Sequence, residues 1–374
     1  MDTLHRVTES LARDIGPRRA GSGADRRAAD LLEATFGRVC PEVVRHEYRF
    51  LGWDPGDEGE LTLGGETFDT RLGIACPPTP AGGVTGVLES LGRDVYGLRP
   101  PGAGGPAAHL MAYRGPGGQA IPLLWRPYGS IPAGILGAAM EERLAAAARY
   151  RETVTFTCNP ALEPGAVSWN VEGVLPGDRQ RQVVVVAHYD TVYGSPGAND
   201  NGASCAALFA LAERLAASPR GNRPTLRFLA TGAEEIDLIG ARCYVRDLLW
   251  RGGSPPGGEG RIHLALNFDS LTWGDGLRLG AAPNAEAFLP ALAAALGSAR
   301  LTSYDGTWER VPLGEGVDSG VFAAAGLPTI NANTAGDPVT VALWHTPGDT
   351  VDRVPWARAA DGVEVFARFL EQLR

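Results

Sequence analysis

The sequence predicts an α/β fold in which helices cover both faces of a mostly parallel central sheet, with a small β-rich domain inserted into it. Four consecutive valines at 183–186 are typical of a strand that is buried on both faces. From residue 160 onward, apolar runs of strand length alternate with segments of helical spacing, which indicates parallel strands joined by helices. Between residues 51 and 159, short alternating segments are separated by turns rich in Gly and Pro, which favours a β-rich domain.

The chain has 374 residues, which is more than one typical hydrophobic core accommodates, so we expect two domains. Residues 1–50 have helical spacing at 3–15 and 24–37, around the turn "GPRRAGSG", and form the N-terminal helical part of the larger domain. Residues 51–159 form the inserted domain. Residues 160–374 complete the larger domain.

The inserted domain carries a hairpin signal near its start. In "ELTLGGETF", two alternating segments flank Gly64 and Gly65, and paired glycines suit the tight turn of a hairpin. A helical segment, "AAMEERLAAAARY", later leads into the strand-like run "ETVTFTC". The segment therefore contains a helix as well as strands.

The part of the larger domain after residue 160 alternates between strands and helices. Strands are predicted at 168–175, 182–188, 224–230, 261–268 and 327–333. Helices are predicted at 201–217, 238–250, 285–297, 317–325 and 357–372. This order of elements is the basis for the predicted parallel sheet.

Charge and composition exclude several classes of partner. The net charge of -9 argues against nucleic-acid binding, which needs a basic surface. No apolar stretch is long enough to cross a bilayer, and the first residues lack the apolar run of a signal peptide, so we expect a cytoplasmic protein without a membrane partner. The five cysteines form no C-x-x-C pair, which favours buried, reduced thiols. The sequence gives no indication of the oligomeric state.

Polar residues gather where the predicted strands end. Because function in open parallel sheets lies beyond the carboxyl ends of the strands, we expect these side chains to meet. Crowded carboxylates repel one another unless a cation lies between them, and imidazole with carboxylate oxygen suits zinc or a similar divalent ion. The residues at these ends are His188, Asp190, Glu234, Glu235 and Asp269, with His345 in a later loop.

Five short motifs carry these residues: "HYD" (188–190), "GANDNGAS" (197–204), "AEE" (233–235), "NFD" (267–269) and "HTPGDT" (345–350). In this order they resemble the motifs of the co-catalytic di-zinc exopeptidases, a family that includes aminopeptidases, glutamate carboxypeptidase and glutaminyl cyclase. The resemblance covers the N-terminal helices and roughly residues 160–374. A nearby stretch, "GVDSGVFAAAGLP", is similar to a further family segment, with its Ser and Asp in reversed order.

The resemblance implies a centre of two divalent metal ions, most often zinc. Asp200 would bridge the two ions. His188 and Asp269 would complete one site, and Glu235 and His345 the other.

The resemblance also implies two catalytic residues. Asp190 would hold His188 through its second ring nitrogen, and Glu234 would be the general base that takes a proton from a metal-activated water. The implied function is an aminopeptidase that hydrolyses the N-terminal bond of a peptide or a small amino-acid-derived substrate.

Other functions of the same fold stay open. A carboxypeptidase or dipeptidase would need a cationic clamp for a terminal carboxylate, for which Arg242 and Arg310 are candidates. A glutaminyl cyclase or a non-catalytic scaffold module are the remaining alternatives. A substrate pocket could include the loop residues Tyr304, Trp308 and Arg310.

Each motif residue also has an ordinary structural interpretation. Asp200 taken alone suits a helix N-cap, and adjacent glutamates are common at helix starts. His263 is the main rival histidine, but it lies at the start of its strand, whereas His5, His46 and His109 stand in none of the carboxylate motifs and are expected at the surface or in packing. Asp349 could orient His345 or stabilise the turn.

The inserted block resembles the end of a protease-associated domain in "SIPAGILGAAMEERLAAAARYRETVTFTC", followed by "SWNVEGVLPG". In the family such an insert lies beside the cleft as a lid or a wall. The resemblance therefore implies a role in substrate selection.

Overall fold

The computed structural model describes residues 2–126, 129–218, 223–250, 260–334 and 336–373. The chain divides into two compact units, one formed by Met1–Arg49 with Val167–Arg374 and the other by Phe50–Ala166. In the described residues the strands are β1 (Glu42–Asp54), β2 (Gly59–Leu63), β3 (Glu66–Ile74), β4 (Val84–Gly92), β5 (Val95–Arg99), β6 (Ala108–Tyr113), β7 (Leu123–Leu124), β8 (Ala133–Gly137), β9 (Thr153–Thr157), β10 (Ala161–Leu175), β11 (Asp178–His188), β12 (Pro224–Thr231), β13 (Arg261–Phe268), β14 (Leu277–Ala281), β15 (Trp308–Val311) and β16 (Thr329–Thr334). The helices are α1 (Asp2–Glu9), α2 (Gly23–Phe36), α3 (Glu141–Tyr150), α4 (Ala203–Ala217), α5 (Ile239–Trp250), α6 (Leu289–Ser298), α7 (Asp318–Ala324), α8 (Pro338–Val341) and α9 (Trp356–Gln372).

The larger unit is built on a mixed sheet of eight strands in the order β1-β10-β12-β11-β13-β16-β14-β15. The sequence predicts a mostly parallel sheet, and parallel pairing is found between β12, β11, β13 and β16 at its centre. However, β10 runs antiparallel to β12, and β14 antiparallel to β16. Only Pro176 and Gly177 connect β10 to β11, whereas a parallel crossover needs a dozen or more residues, so β10 runs antiparallel to β11 and to its neighbour β12.

The valine run of β11 packs on both faces of this sheet. Val183 and Val185 belong to the core on the side of α2, α4, α6 and α9. Val184 and Val186 belong to the core on the side of α5 and α7. Because successive side chains of a strand point to opposite faces of the sheet, each valine side chain is buried in the core of one face. Burying each of these side chains contributes roughly 1.5–3 kcal/mol to stability. This packing fixes the end of β11.

The central parallel strands end at the same edge of the sheet. His188 at the end of β11 lies opposite Thr231 at the end of β12, and β13 ends at Phe268, just before Asp269. The polar residues that follow these strands therefore start from neighbouring positions.

The smaller unit contains a second sheet with the strand order β2-β9-β4-β5-β6-β8-β3-β7. The predicted hairpin is present: β2 and β3 pair antiparallel with Leu63 opposite Glu66, and the turn residues Gly64 and Gly65 both have positive φ. Helix α3 packs against β4. Among the described residues of the whole chain, no helix has the length and apolar character needed to cross a membrane.

Candidate metal centre

His188 is held by the end of strand β11. The next residue, Tyr189, donates its backbone N–H to Thr231 O at 2.8 Å, so the strand pairing continues past the histidine. His188 Nδ1 lies 3.2 Å from the backbone O of Asp190 and 3.6 Å from its carboxylate Oδ1. With Nδ1 facing Asp190, the other ring nitrogen, Nε2, points to the carboxylates across the site.

Asp200 lies in an irregular turn just before α4. Its φ of -112° and ψ of 92° are not helical. Helix α4 begins only at Ala203, two residues after the start at 201 that the sequence predicts. Asp349 fixes this turn: its carboxylate accepts the backbone N–H groups of Asn199 and Asp200 at 2.9 and 3.0 Å, and the Asn199 side chain at 2.8 Å. Asp349 thus holds the backbone of Asp200.

The carboxylate of Asp200 lies between two imidazoles. Its Oδ1 is 3.4 Å from His188 Nε2, and its Oδ2 is 3.5 Å from His345 Nε2. The side chain is 6% exposed. The two oxygens of one buried carboxylate therefore face two different histidines.

The two glutamates follow β12. Their backbone N–H groups donate to the Asp190 carboxylate, at 3.0 Å from Glu234 and 3.3 Å from Glu235. Glu234 Oε2 lies 3.9 Å from His188 Nε2, and Glu235 Oε2 lies 3.2 Å from His345 Nε2. Each glutamate thus approaches a different histidine.

Asp269 and His345 complete the cluster. Asp269 follows β13, donates its backbone N–H to Ala332 O at 3.2 Å, and accepts the hydroxyl of Ser270 at 3.1 Å. His345 has a φ of 59°, in the left-handed region that non-glycine residues rarely occupy, which places its ring 4.0 Å from that of Trp344. The residues predicted from the sequence to form the site meet at this edge: His188, Asp190, Asp200, Glu234, Glu235, Asp269 and His345.

Potential ligand atoms form two overlapping groups. The atoms of His188, Asp200 and Glu235 lie within 4.8 Å of one another, as do those of His188, Glu234 and Asp269. Imidazole nitrogen with carboxylate oxygen, and without a thiolate in either group, is the donor set that zinc and similar divalent ions prefer. The residues present therefore fit a divalent metal ion.

Burial and mutual repulsion change the ionisation of these groups. Burial raises the pKa of Glu234 well above its ordinary value, and Glu235 and Asp269 act in the same direction against the opposing effect of His188. Burial also raises the pKa of Asp269 to about 6. Burial alone would lower the pKa of His188, but the surrounding carboxylates raise it well above its ordinary value. A bound cation would relieve the same repulsion.

One further buried carboxylate near the site was not predicted from the sequence. Asp318, the first residue of α7, accepts a hydrogen bond from the Thr231 hydroxyl, and its other oxygen has no hydrogen-bond partner among the described residues. Burial raises its pKa to about 7. Asp318 lies in "GVDSGVFAAAGLP", at the start of a predicted helix. Because acidic residues are common at helix starts, this position in the sequence does not by itself indicate a functional role.

The other candidate residues lie elsewhere. His263 is exposed at the start of β13, with Nδ1 3.1 Å from Arg261 O. Tyr304 is buried and donates its hydroxyl to Leu271 O at 2.9 Å, so it packs and does not line an open loop. Trp308 and Arg310 lie on strand β15, which the sequence predicted as a loop.

Residues 170–370 match the model of Peptidase family M28. The match includes more than half of the chain and all seven predicted site residues. The chain belongs to peptidase family M28.

Curated relatives of this chain carry aminopeptidase names. Aminopeptidase YwaD of Bacillus subtilis is 25% identical over 261 residues, which cover 64% of this chain and 56% of the relative. The probable lipoprotein aminopeptidase LpqL of Mycobacterium tuberculosis is 28% identical over 305 residues, covering 72% of this chain and 58% of the relative. This M28 chain thus spans little more than half the length of these curated relatives.

A solved structure has the same overall fold. BSAP, described as a zinc aminopeptidase from Bacillus subtilis, superposes with a TM-score of 0.74 over 99% of this M28 chain and 94% of its own. The two sequences are 21% identical, so this likeness supports the fold alone.

Proposed function

We propose that this M28 chain is a zinc-dependent aminopeptidase that removes the N-terminal residue of peptides or related small substrates. One observation carries the proposal: the carboxylate of Asp200 lies between His188 and His345, with one oxygen toward each imidazole. The aminopeptidase names of the curated relatives support the choice among exopeptidases.

The centre would hold two zinc ions. Asp200 would contact both ions, with His188 and Asp269 at one and Glu235 and His345 at the other. Zinc ions polarise a carbonyl group and lower the pKa of water, which makes water a nucleophile at neutral pH. Three of these five side chains, His188, Asp200 and His345, are buried, which supports tight binding, since few water molecules compete with an ion for their ligand atoms.

Glu234 would serve as the general base. It would take a proton from the attacking water at a carboxylate oxygen and then deliver that proton to the nitrogen of the leaving amine. Burial raises its pKa, which suits a group that must first accept a proton and then release it. Its backbone is fixed by the bond from Glu234 N–H to Asp190, so the carboxylate starts from a defined position.

Asp190 would act by orienting two neighbours. It faces Nδ1 of His188 through both its backbone O and its carboxylate, which fixes the ring nitrogen left for a metal. The same carboxylate holds the loop of Glu234 and Glu235. Asp190 is therefore a positioning residue for a ligand and for the base.

The arginines considered as a carboxypeptidase clamp have other partners. Arg310 forms an ion pair with Glu286, and Arg242 donates to the backbone O of Asp237 at 2.8 Å. These contacts favour an aminopeptidase over a carboxypeptidase or dipeptidase. A glutaminyl cyclase and a non-catalytic scaffold are the outcomes that the assay below separates.

The domain arrangement is part of the proposal. Residues 1–50 and 160–374 would form the peptidase domain, and 51–159 an inserted domain related to protease-associated domains. The compact unit Phe50–Ala166, with its own sheet and helix α3, supports the proposed insert.

A substrate panel tests the function. Aminoacyl-anilides, N-acetylated dipeptides with acidic C-termini and N-terminal glutaminyl peptides would each be offered to the zinc-loaded protein with and without a chelator. We expect turnover of the anilides that the chelator abolishes. Turnover confined to the acetylated dipeptides or to the glutaminyl peptides would overturn the aminopeptidase assignment, and a protein inactive on all three would favour the scaffold.

A further inference from the structure

Arg18, in the turn "GPRRAGSG" between α1 and α2, is 0% exposed. It lies outside residues 170–370 that match the M28 family but within the same compact unit as the metal centre. A fully buried arginine is rare because its charge and its five N–H donors all require partners.

The side-chain hydrogen bonds of Arg18 all go to backbone carbonyl groups. Nε donates to Tyr189 O, and Nη2 donates to Gly197 O at 2.9 Å. Nη1 donates to Pro196 O at 2.5 Å and, at 3.4 Å, to two carbonyls of its own N-terminal segment. The backbone N–H of Arg18 donates to the hydroxyl of Thr191 at 3.0 Å. Arg18 thus binds both ends of segment 189–197 through its side chain, and Thr191 through its backbone N–H.

This segment connects two parts of the proposed metal centre. Tyr189 lies between His188 and Asp190 in the chain. At the other end, Gly197 O accepts the backbone N–H of Gly202 at 3.1 Å, and this bond closes the turn that contains Asp200. Arg18 therefore contacts the backbone next to His188 and the turn of Asp200 at the same time.

The turn packs closely on itself and against the guanidinium. Gly197 has a φ of +58°, and a Cβ there would lie 2.3 Å from Thr191 Cγ2, 2.4 Å from Asp200 O and 3.3 Å from Arg18 Nη2. A Cβ on Gly202 would lie 2.8 Å from Gly197 O and 3.4 Å from Arg18 Nη2. Glycine at both positions therefore lets the turn close beside the arginine.

The charge of Arg18 is also placed near the site. Burial lowers the pKa of Arg18 against the opposing effects of Cys205 and of the carboxylates of Asp190, Asp349 and Asp200, and a guanidinium stays protonated at neutral pH even when buried. Because the N–H groups bind neutral carbonyls and not these carboxylates, the acid oxygens stay available for other partners.

We propose that Arg18 is a positioning residue of the metal centre, which sets the distance between the strand end that carries His188 and the turn that carries Asp200. The proposal rests on the proposed function, since it assumes that these two residues share a metal site. Without the guanidinium, segment 189–197 would lose its common anchor, and the ligands would no longer be held at a fixed separation.

Arg18→Lys and Arg18→Met test the proposal. Lysine keeps the charge but has a single nitrogen, so it cannot reproduce the planar arrangement in which Nε, Nη1 and Nη2 each bind a different carbonyl. We expect both variants to bind Zn²⁺ at least about tenfold more weakly than the wild type, the loss typical of an altered outer-shell partner. The measurement is competition between the metal-free protein and a chromophoric chelator, with circular dichroism to confirm folding.

Arg227→Lys is the matched control. Arg227 is also buried, at 1% exposure, but pairs with Glu172 at 3.0 Å and Gln182 at 2.6 Å within the sheet. We expect this variant to melt at a lower temperature with Zn²⁺ affinity within about twofold of the wild type. Equal losses of affinity in the Arg227 and Arg18 variants would show general destabilisation and overturn the proposal.

Thr191→Val provides a second variant in case the Arg18 variants do not fold. It removes the acceptor of the Arg18 backbone N–H with little change in shape, and we expect Zn²⁺ affinity to fall about threefold or more. A folded Arg18→Lys, or failing that a Thr191→Val, with wild-type Zn²⁺ affinity would overturn the positioning role while leaving the proposed function intact. A wild-type protein that binds no Zn²⁺ would instead overturn the proposed function and this inference with it.

Discussion

Asp190 Oδ1 accepts a hydrogen bond from the backbone N–H of Glu234 at 3.0 Å. The same carboxylate lies 3.6 Å from Nδ1 of His188 and accepts the N–H of Glu235 at 3.3 Å. One fully buried acid thereby connects the end of β11 to the loop after β12. Through Asp190, the position of the proposed metal ligand His188 is coupled to that of the proposed base Glu234.

Asp190→Asn is predicted to weaken the metal centre. An asparagine oxygen can accept one of the two N–H groups, but its NH₂ group cannot accept the other, and an unpaired buried N–H costs about 1–3 kcal/mol. We expect Zn²⁺ affinity to fall by about 10–100-fold, measured by chelator competition. Asp178→Asn, at the partly exposed start of the same strand, should bind Zn²⁺ as the wild type does. Unchanged affinity in Asp190→Asn would contradict the orienting role.

Glu234→Gln is predicted to separate catalysis from metal binding. Glutamine has nearly the same shape but cannot accept the proton from water, so we expect kcat on an aminoacyl-anilide to fall by about 10²–10⁴-fold. Metal content and melting temperature should stay close to those of the wild type. Glu309→Gln, an exposed residue paired with Arg278, serves as the control. Near-normal turnover in Glu234→Gln would remove this residue from the role of base.

Much of the larger unit follows from local pattern. The predicted strands 182–188, 224–230 and 261–268 correspond to β11, β12 and β13, because continuous apolar runs bounded by turns are what buried strands require. Most of the site residues follow from the same pattern, since they stand where a predicted strand ends, whereas the role of Asp200 came from the resemblance of its motif. Most of the side chains proposed to bind the metal can therefore be located from the sequence.

Long-range pairing could not be predicted in the same way. The position of β10 beside β12, and not beside the next strand β11, depends on long-range pairing, which the sequence of a strand does not encode. His46 was expected to have no carboxylate partner, yet its Nε2 lies 3.3 Å from Glu172, which is far away in the sequence. The side-chain partners of Arg18 are backbone carbonyl groups, which every residue has. No pattern of side chains in the sequence therefore predicts these hydrogen bonds. The exposed strand β15 lacks the apolar alternation that predicts a strand.

The stability of the protein is predicted to decrease as pH rises from about 4 to 7, in part because of Asp25. Burial raises the pKa of this carboxyl to about 7, against 3.8 for an exposed aspartate, so in this range the folded protein keeps a proton that the unfolded chain has lost. The stabilisation is complete below the unfolded pKa and is lost as pH rises through the folded pKa, by roughly 4 kcal/mol in all.

Urea unfolding of chelator-treated protein at several pH values measures this effect. Asp25→Asn should show a flatter dependence of the unfolding free energy on pH. The control Asp14→Asn, at an exposed position, should leave the slope unchanged. An unaltered slope in Asp25→Asn would show that other groups cause the pH dependence.

Leu229→Ala is predicted to destabilise the fold without changing the metal centre. Leu229 is 0% exposed in β12 and packs on the side of α5, so its loss leaves a cavity that costs about 2–5 kcal/mol. We expect a lower melting temperature with unchanged Zn²⁺ affinity below that temperature. A parallel loss of Zn²⁺ affinity would show that the site depends on the packing of this face.

Metal analysis of the wild type and of Asp200→Ala tests the central claim most directly. The wild type, loaded with Zn²⁺ and freed of excess ion, should contain about two zinc equivalents per chain. Since both oxygens of Asp200 face separate histidines, its removal should weaken both sites together, leaving well under one equivalent under the same conditions. An Asp200→Ala protein that loses one ion and retains the other at full occupancy would contradict a bridging carboxylate.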